Sequence, residues 1–354
     1  MSRRIAVSAN VFAHGGGIES YTFDLVNRLS ADGNAPTVYA ARFDTALPEY
    51  GRIRPVAVNQ KRVPKKLRPF FFARQLDRLR DPDELLIACN PSDHAAVFVC
   101  GGTHLGYLRG MGQRPNLIDR LVIRRNRTNY ATARTIMAHS HLMRRNLTEL
   151  YGVDEGKIRV VHPPVDTARF HNDLSRNSQV RRQYGFAEHE TVFLFPSTGH
   201  RRKGLELLAG FFERTALPVK LAVAGSLLPR PMKNTVSLGF CRNMPELYRA
   251  ADYTVMAPFY EPFGLVGVES VLSGTRVLLP ESTGCTEVMN RNAGFFFDRS
   301  RPETLAAAVE EAVRLKEAGR HKIADPRGAL TYDPSLSAHI ARLYAMLDEA
   351  AEAA

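Results

Sequence analysis

The feature that most limits the fold is a pair of strand-and-helix series separated by prolines. In the first half of the 354-residue chain, β-like runs at Arg4 to Ala9, Thr37 to Ala41, Leu85 to Cys89, Val97 to Cys100 and Thr135 to Ala138 alternate in several places with helical stretches. That is the rhythm of a parallel sheet. The stretch His162-Pro163-Pro164-Val165-Asp166 then breaks regular structure and reads as a hinge. A second series follows: Thr191 to Phe195, Val219 to Ala224, Tyr253 to Ala257 and Arg276 to Leu279. Length divided by about 150 residues per domain gives two units, each with its own core. The expected class is α/β, with two doubly wound domains facing one another and ligands at the carboxyl ends of their strands. The expected boundaries are 1–163 and 164–334, and the last helical stretch, 335–354, closes the second domain or returns to the first.

Composition narrows the partners. Hydrophobic residues at 44% and charged residues at 24% are the balance of a folded globular chain and exclude a disordered or fibrous one. Forty-eight Lys and Arg against 36 Asp and Glu leave +12, a field that draws phosphates, nucleic acid or anionic lipid. Cys89, Cys100, Cys241 and Cys285 form no C-x-x-C pair, so neither a zinc site nor a disulfide framework is expected. No window approaches about 18 uninterrupted apolar residues. The expectation is a cytoplasmic protein with no spanning helix and no cleaved signal.

Three constellations carry chemistry. Gly15-Gly16-Gly17 follows the first strand and opens a helix whose apolar face is Ile18, Tyr21, Leu25 and Leu29. Glycines there let backbone N–H groups approach a phosphate, although a tight turn that holds no ligand reads equally well. Arg201-Arg202-Lys203-Gly204 stands at the entrance of another helical pattern. Cations at that end oppose the helix dipole unless something negative sits there, and a diphosphate is a natural occupant. In Pro258 to Glu269, Glu261 lies in a loop held by Pro262, and Glu269 lies one or two turns into the next helix. Both carboxylates can accept hydrogen bonds from sugar hydroxyls of a ligand resting on that helix start. Taken singly, each reads better as a capping or surface acid.

The run Glu261 to Glu269, with Ser273-Gly274-Thr275 and Glu287 behind it, resembles the E-x7-E signature of retaining family 4 glycosyltransferases, whose two facing Rossmann-like domains form the GT-B fold. Gly15 to Glu19, Ala138-His139-Ser140, Tyr151-Gly152-Val153, Lys157 to Asp166, Arg202-Lys203-Gly204, Gly239-Phe240 and Leu247 to Asp252 extend the resemblance over nearly the whole chain. It implies that Glu261 holds hydroxyls of the donor sugar and Glu269 the donor ribose. Lys203, helped by Arg202, would neutralise the diphosphate, with amides around Phe263, Gly264 and Leu265 completing the cradle. Phe240 to Met244 would border the nucleobase, and His104 matches the family's active-site histidine. The family's usual arginine five or six residues before the lysine is replaced by Ser197 and Thr198, leaving His200, Arg201 and Arg202 as candidates for the β-phosphate. The compact basic turn Gly199-His200-Arg201-Arg202-Lys203-Gly204 resembles that of lipopolysaccharide-core glucosyltransferases.

The resemblance implies an enzyme moving a hexose from a nucleotide sugar, UDP-glucose first, to a lipopolysaccharide-core or other lipid-linked glycan. No His/Cys cluster is present in the sequence and the fixed cations at 201–203 can take a metal's role, so neither metal nor cofactor is expected. Between Lys61 and Arg80 lie eight Lys or Arg, among them Lys61, Arg62, Lys65, Lys66 and Arg68, around Phe70-Phe71-Phe72. Cations beside aromatic rings suit an anionic membrane surface, so peripheral attachment at the inner face of the cell membrane is expected. A nucleic-acid surface or a solvated face over core phenylalanines would read similarly. The rival functions are a nucleotide-sugar epimerase of similar fold and a polyanion-binding module. The latter leaves Glu261 and Glu269 unexplained, and no nucleic-acid partner is expected.

Overall fold

The computed structural model describes residues 4–13, 15–64 and 67–352. It divides the chain into two compact units: one gathers the residues up to His162 with those from Leu336 onward, and the other runs from Pro163 to Ser335. The first is built on β1 (Ile5–Ala9), β2 (Thr37–Ala40), β3 (Arg54–Ala57), β4 (Leu85–Ala88), β5 (Val97–Cys100), β6 (Thr135–Ala138) and β7 (Ile158–Val160). All pair in parallel in the order β3-β2-β1-β4-β5-β6-β7. The second holds β8 (Thr191–Ser197), β9 (Val219–Gly225), β10 (Thr235–Gly239), β11 (Tyr253–Val255), β12 (Arg276–Pro280) and β13 (Gly294–Phe297), parallel in the order β10-β9-β8-β11-β12-β13. Each sheet reverses direction beside its first strand, and the carboxyl ends there leave a crevice that loops can line.

The nine expected strands are present with ends displaced by at most two residues, and they are the nine interior strands. The four that the sequence reading missed, β3, β7, β10 and β13, are the four sheet edges. Edge strands lack a neighbour on one side, so their side chains need not be apolar throughout. β3 reads Arg-Pro-Val-Ala and is largely exposed, and its proline is tolerated because an edge strand can spare an N–H.

The helix Gly17–Ala31 buries Tyr21, Leu25 and Leu29 beneath the first sheet. Ile18, expected on the same face, is 40% exposed. Helical side chains lean toward the N-terminus, so a first-turn residue points past the helix start and finds less to cover. The helix Leu336–Glu352 sends Ile340, Leu343, Met346 and Leu347 into the core of the first unit. Cys89, Cys100 and Cys285 are buried free thiols, and burial pushes Cys89 and Cys100 up to about 12. No helix among the described residues is long and apolar enough to cross a membrane.

Candidate active site

β8 delivers the chain to a one-turn helix, His200–Lys203, that ends on Gly204 in the left-handed region at φ +83°. A Cβ on Gly204 would stand 1.8 Å from the Ala257 carbonyl oxygen, so glycine is required both by conformation and by close approach. The basic turn is stitched to the segment after β11: Ala257 N donates to Lys203 O at 3.1 Å and Phe259 N to Arg202 O at 3.0 Å. That stitching brings the cations onto Glu261. Lys203 Nζ lies 3.0 Å and Arg202 Nη1 2.9 Å from the same carboxylate oxygen, Glu261 Oε2. The Lys203 and Glu261 side chains keep only 12% and 11% of their exposure. His200 is occupied otherwise, with Nδ1 2.9 Å from Ser197 Oγ and Nε2 3.1 Å from the carbonyls of Ser226 and Leu227. Arg201 is exposed.

The Glu261 loop is held from the other side by the Thr283-Gly284-Cys285 segment. Gly284 N donates to Glu261 O at 3.1 Å and Cys285 N to Phe263 O at 2.7 Å. Gly264, at φ +91°, turns the chain into the helix Leu265–Leu272. Phe263 is buried, its ring edge-on to Tyr332, so only its backbone can face a ligand. Glu269 sits five residues into that helix, where its Oε2 accepts from Tyr248 Oη at 2.9 Å. Burial raises the Glu269 carboxyl above its ordinary range, against the Tyr248 hydrogen bond and the charges of Arg169 and Lys203.

A concavity of about 240 Å³ opens at the carboxyl ends of β8 and β9, lined by Lys203, Glu269, Phe240 and Met244 among others. It brings together four residues that the sequence singled out, and Lys203 connects it to Glu261 and Arg202. Phe240 is 79% exposed at its rim. Sequence reasoning gave no lining role to Ser197, Thr198, Gly225, Tyr248 and Val266, which also line it, as does Cys241 within the expected Phe240 to Met244 stretch. Three of these had a signal: Ser197-Thr198 ends an apolar run with hydroxyls, and Gly225 closes another apolar strand. Among the described residues no group of three or more His, Cys, Asp or Glu is placed to hold a metal ion.

The remaining sequence candidates lie in the first unit. Gly16 caps the helix Gly17–Ala31 in an extended conformation, and a Cβ on Gly15 would stand 2.9 Å from the Glu19 side chain. The concavity around Lys203 is built from the second unit alone. His104 follows Thr103, whose hydroxyl accepts from Gly106 N and caps the helix His104–Gly110. His104 Nε2 lies 2.9 Å from Asp119 Oδ1. The sequence reading did not single out Asp119. Its carboxyl is held below the ordinary range by the Asn116 N–H, and then by His104. The signal was there in Asn116-x-x-Asp119, which forms a capping box on the helix Leu117–Thr132.

The expected membrane segment needs a correction. Phe72 is 1% exposed and joins Ala73 and Leu76 on the buried face of the helix Arg68–Leu79, so its ring cannot meet headgroups. Helical spacing turns it inward, while Phe70 and Phe71 stay half-buried. Lys61 and Arg62 are exposed, Arg68 Nε donates to Val63 O at 3.0 Å, and Lys65 and Lys66 lie outside the described residues.

Comparison with known proteins decides the family. Residues 15–169 match Glycosyltransferase Family 4, and residues 177–325 match Glycosyl transferases group 1. A Burkholderia thailandensis protein named "Probable transglycosylase" is 42% identical over 356 residues, covering 99% of this chain and 97% of its own. The chain is a family 4 glycosyltransferase. Among solved structures, this glycosyltransferase shares its fold with WaaG, a glycosyltransferase involved in lipopolysaccharide biosynthesis, at a TM-score of 0.72 and 17% identity over 89% of this chain and 92% of WaaG. It likewise resembles HepE of Anabaena, solved with UDP and glucose, at a TM-score of 0.76 and 15% identity over 98% and 100%. The two Rossmann-like domains of this glycosyltransferase are therefore those of the GT-B fold.

Proposed function

We propose that the enzyme moves a hexosyl group from a UDP-linked donor, UDP-glucose first, to a lipopolysaccharide-core or other lipid-linked glycan, with retention of configuration and without a metal. One observation carries the reading: Lys203 stands between Glu261 and a concavity that also contains Glu269. Cleaving a nucleotide–sugar bond develops negative charge on the departing diphosphate. Lys203 and Arg202, already oriented, stabilise that charge without reorganisation. Glu269 and Glu261 supply acceptor oxygens for ribose and sugar hydroxyls, and the exposed Phe240 offers a surface against which the base can lie. With no carboxylate assigned as a covalent nucleophile, the acceptor hydroxyl attacks from the face the diphosphate leaves. Its proton passes to the departing β-phosphate oxygen as the glycosidic bond forms. His104, oriented by Asp119, stands on the acceptor side in this reading.

HepE, which shares the fold, was solved with UDP and glucose, and this favours UDP-glucose as the first donor to try. Attachment to an anionic membrane at the inner face of the cell membrane completes the reading, carried by exposed Lys61 and Arg62. Vesicle flotation at low and high salt tests that part, since attraction built on charge must weaken with salt.

The donor reading is tested with a panel of nucleotide sugars by thermal shift, because a ligand that binds only the native state must raise the melting temperature. UDP-glucose should stabilise the wild type and much less so Lys203→Ala. Stabilisation by no nucleotide sugar, or an equal shift in folded Lys203→Ala, overturns the proposal. The anomeric signal of the product, read by NMR, decides retention.

A further inference from the structure

The first unit has a second concavity, of about 320 Å³, lined by Leu105, Pro115, Ile123 and three arginines, Arg120, Arg124 and Arg127. The arginines fall at i, i+4 and i+7 of the helix Leu117–Thr132, so all three project from one face. Their surroundings leave their charge uncompensated. Asp119 is engaged by His104 and by the Asn116 N–H, and Asp93 by Arg125 and Asn129. None of the three guanidinium groups has an ion-pair partner among the described residues. Like charges spaced four apart on a helix are destabilising, and an anion between them removes that cost. Guanidinium groups offer planar pairs of donors that match phosphate oxygens two at a time. Leu105 follows His104 directly, so the concavity adjoins the His104–Asp119 pair. Leu117 and Leu121, 78% and 51% exposed on the same helix, give it an apolar flank.

We infer that Arg120, Arg124 and Arg127 form a binding site for a phosphate group carried by the acceptor, so that the glycan the enzyme extends is phosphorylated close to the hydroxyl that reacts. The inference rests on the transferase reading for its meaning but not for its test. A phosphate on a soluble saccharide and a phosphate in a lipid headgroup present the same chemistry to the three arginines, and the experiment separates them.

Wild type and the triple variant Arg120→Ala, Arg124→Ala, Arg127→Ala are titrated calorimetrically with inorganic phosphate and with glucose 6-phosphate, excess UDP filling the diphosphate site. Both are also floated with phosphatidylglycerol vesicles. The arginines are exposed and alanine favours helix, so the variant folds; the single charge reversal Arg124→Glu repeats the measurement with one change. Binding of the soluble phosphates that falls at least tenfold in the variants supports the site with a saccharide phosphate as its ligand. Loss confined to the vesicles overturns the acceptor phosphate and assigns the arginines to a lipid headgroup. Changes below twofold with both kinds of probe overturn the inference. UDP-glucose binding is measured in parallel. If the wild type fails to bind it, the donor reading fails, and the phosphate titrations are then repeated in Lys203→Ala, where the outcome still stands or falls on the arginines.

Discussion

The contact between Glu261 and the two cations makes a prediction that ordinary active-site mutagenesis would not lead one to expect: Glu261→Gln should bind UDP more tightly than the wild type while transferring sugar far more slowly. Glu261 Oε2 accepts from both Lys203 at 3.0 Å and Arg202 at 2.9 Å, so a diphosphate arriving at Lys203 meets a lysine already neutralised. A phosphate oxygen on the far side of Nζ, about 3 Å away at hydrogen-bond distance, stands up to about 6 Å from the carboxylate. Two unit negative charges at that separation repel by about 3 kcal/mol at an effective dielectric of about 20. Water at the open side lowers this, and about 1 kcal/mol is a floor for a carboxylate so little exposed. The corresponding gain in UDP affinity for Glu261→Gln is about 5-fold to 150-fold. The donor sugar, in contrast, loses a charged acceptor worth about 1.5–3 kcal/mol, and turnover falls accordingly. Isothermal titration with UDP and an initial-rate assay with UDP-glucose give the two numbers on one preparation, and circular dichroism checks the fold. If Glu261→Gln binds UDP no better than the wild type, Glu261 does not compete with the diphosphate for Lys203, and the assignment of these groups is wrong.

Three further outcomes are expected. Gly204→Ala places a Cβ 1.8 Å from the Ala257 carbonyl in a left-handed conformation; the conformational cost alone is about 1–2 kcal/mol. The melting temperature should therefore fall by at least about 2 °C from conformation alone, at about 2–4 °C per kcal/mol for a unit of this size, and further from the clash; a fall below about 2 °C refutes the close approach. Burial lifts the Glu269 carboxyl above its unfolded value, so the folded state holds that proton more tightly, and ionising it weakens the fold as pH rises through the interval. Glu269→Gln should melt higher than the wild type at pH 8, converge with it in acid, and bind UDP less well; a lower melting point at pH 8 counts against the desolvated carboxylate. His139 and His339 are the opposite case, lowered to about 3 and about 4 chiefly by burial. Their contribution is whole above the unfolded value near 6.5 and is lost as pH falls toward 4, at about 1.4 kcal/mol per pH unit for each histidine. Amide exchange in β6 should show that slope, and His139→Gln should halve it.

The fold was legible to the degree that burial wrote itself into composition. A strand flanked on both sides and covered on both faces has no solvent to satisfy, so Val97 to Cys100 and Thr191 to Phe195 stand out as apolar runs. Arg54–Ala57, Ile158–Val160 and Thr235–Gly239 are edge strands facing partly outward; the last two alternate in polarity over lengths too short to establish a period, and the first is four residues with a proline inside. Gly294–Phe297 is apolar but only four residues long, and such a run does not distinguish strand from helix. The Phe70–Phe72 error came from the same limit. Three adjacent rings within a basic stretch look like one feature in a sequence, whereas a helix separates neighbours by about 100° and sends Phe72 inward while its companions stay partly out.

The site was legible where function forces an uncommon residue onto a short segment, and not where it depends on distant segments meeting. Glu261, Glu269, Lys203 and Gly204 lie in two local motifs, and each motif declared itself. That Lys203 would close on Glu261, 58 positions later, depends on two backbone hydrogen bonds from Ala257 and Phe259 to the basic turn, and backbone atoms carry no sequence signature. The same reason hid Tyr248, whose hydroxyl reaches Glu269 from a neighbouring helix. Asp119 illustrates a third situation, in which one residue serves two masters. Its capping role at Asn116 is a local pattern that fully accounts for an aspartate there, so nothing in the sequence asks for a second explanation. Only the 2.9 Å contact with His104 supplies one. Removing that carboxylate while keeping the cap, as Asp119→Asn largely does, would therefore separate what the helix needs from what His104 needs.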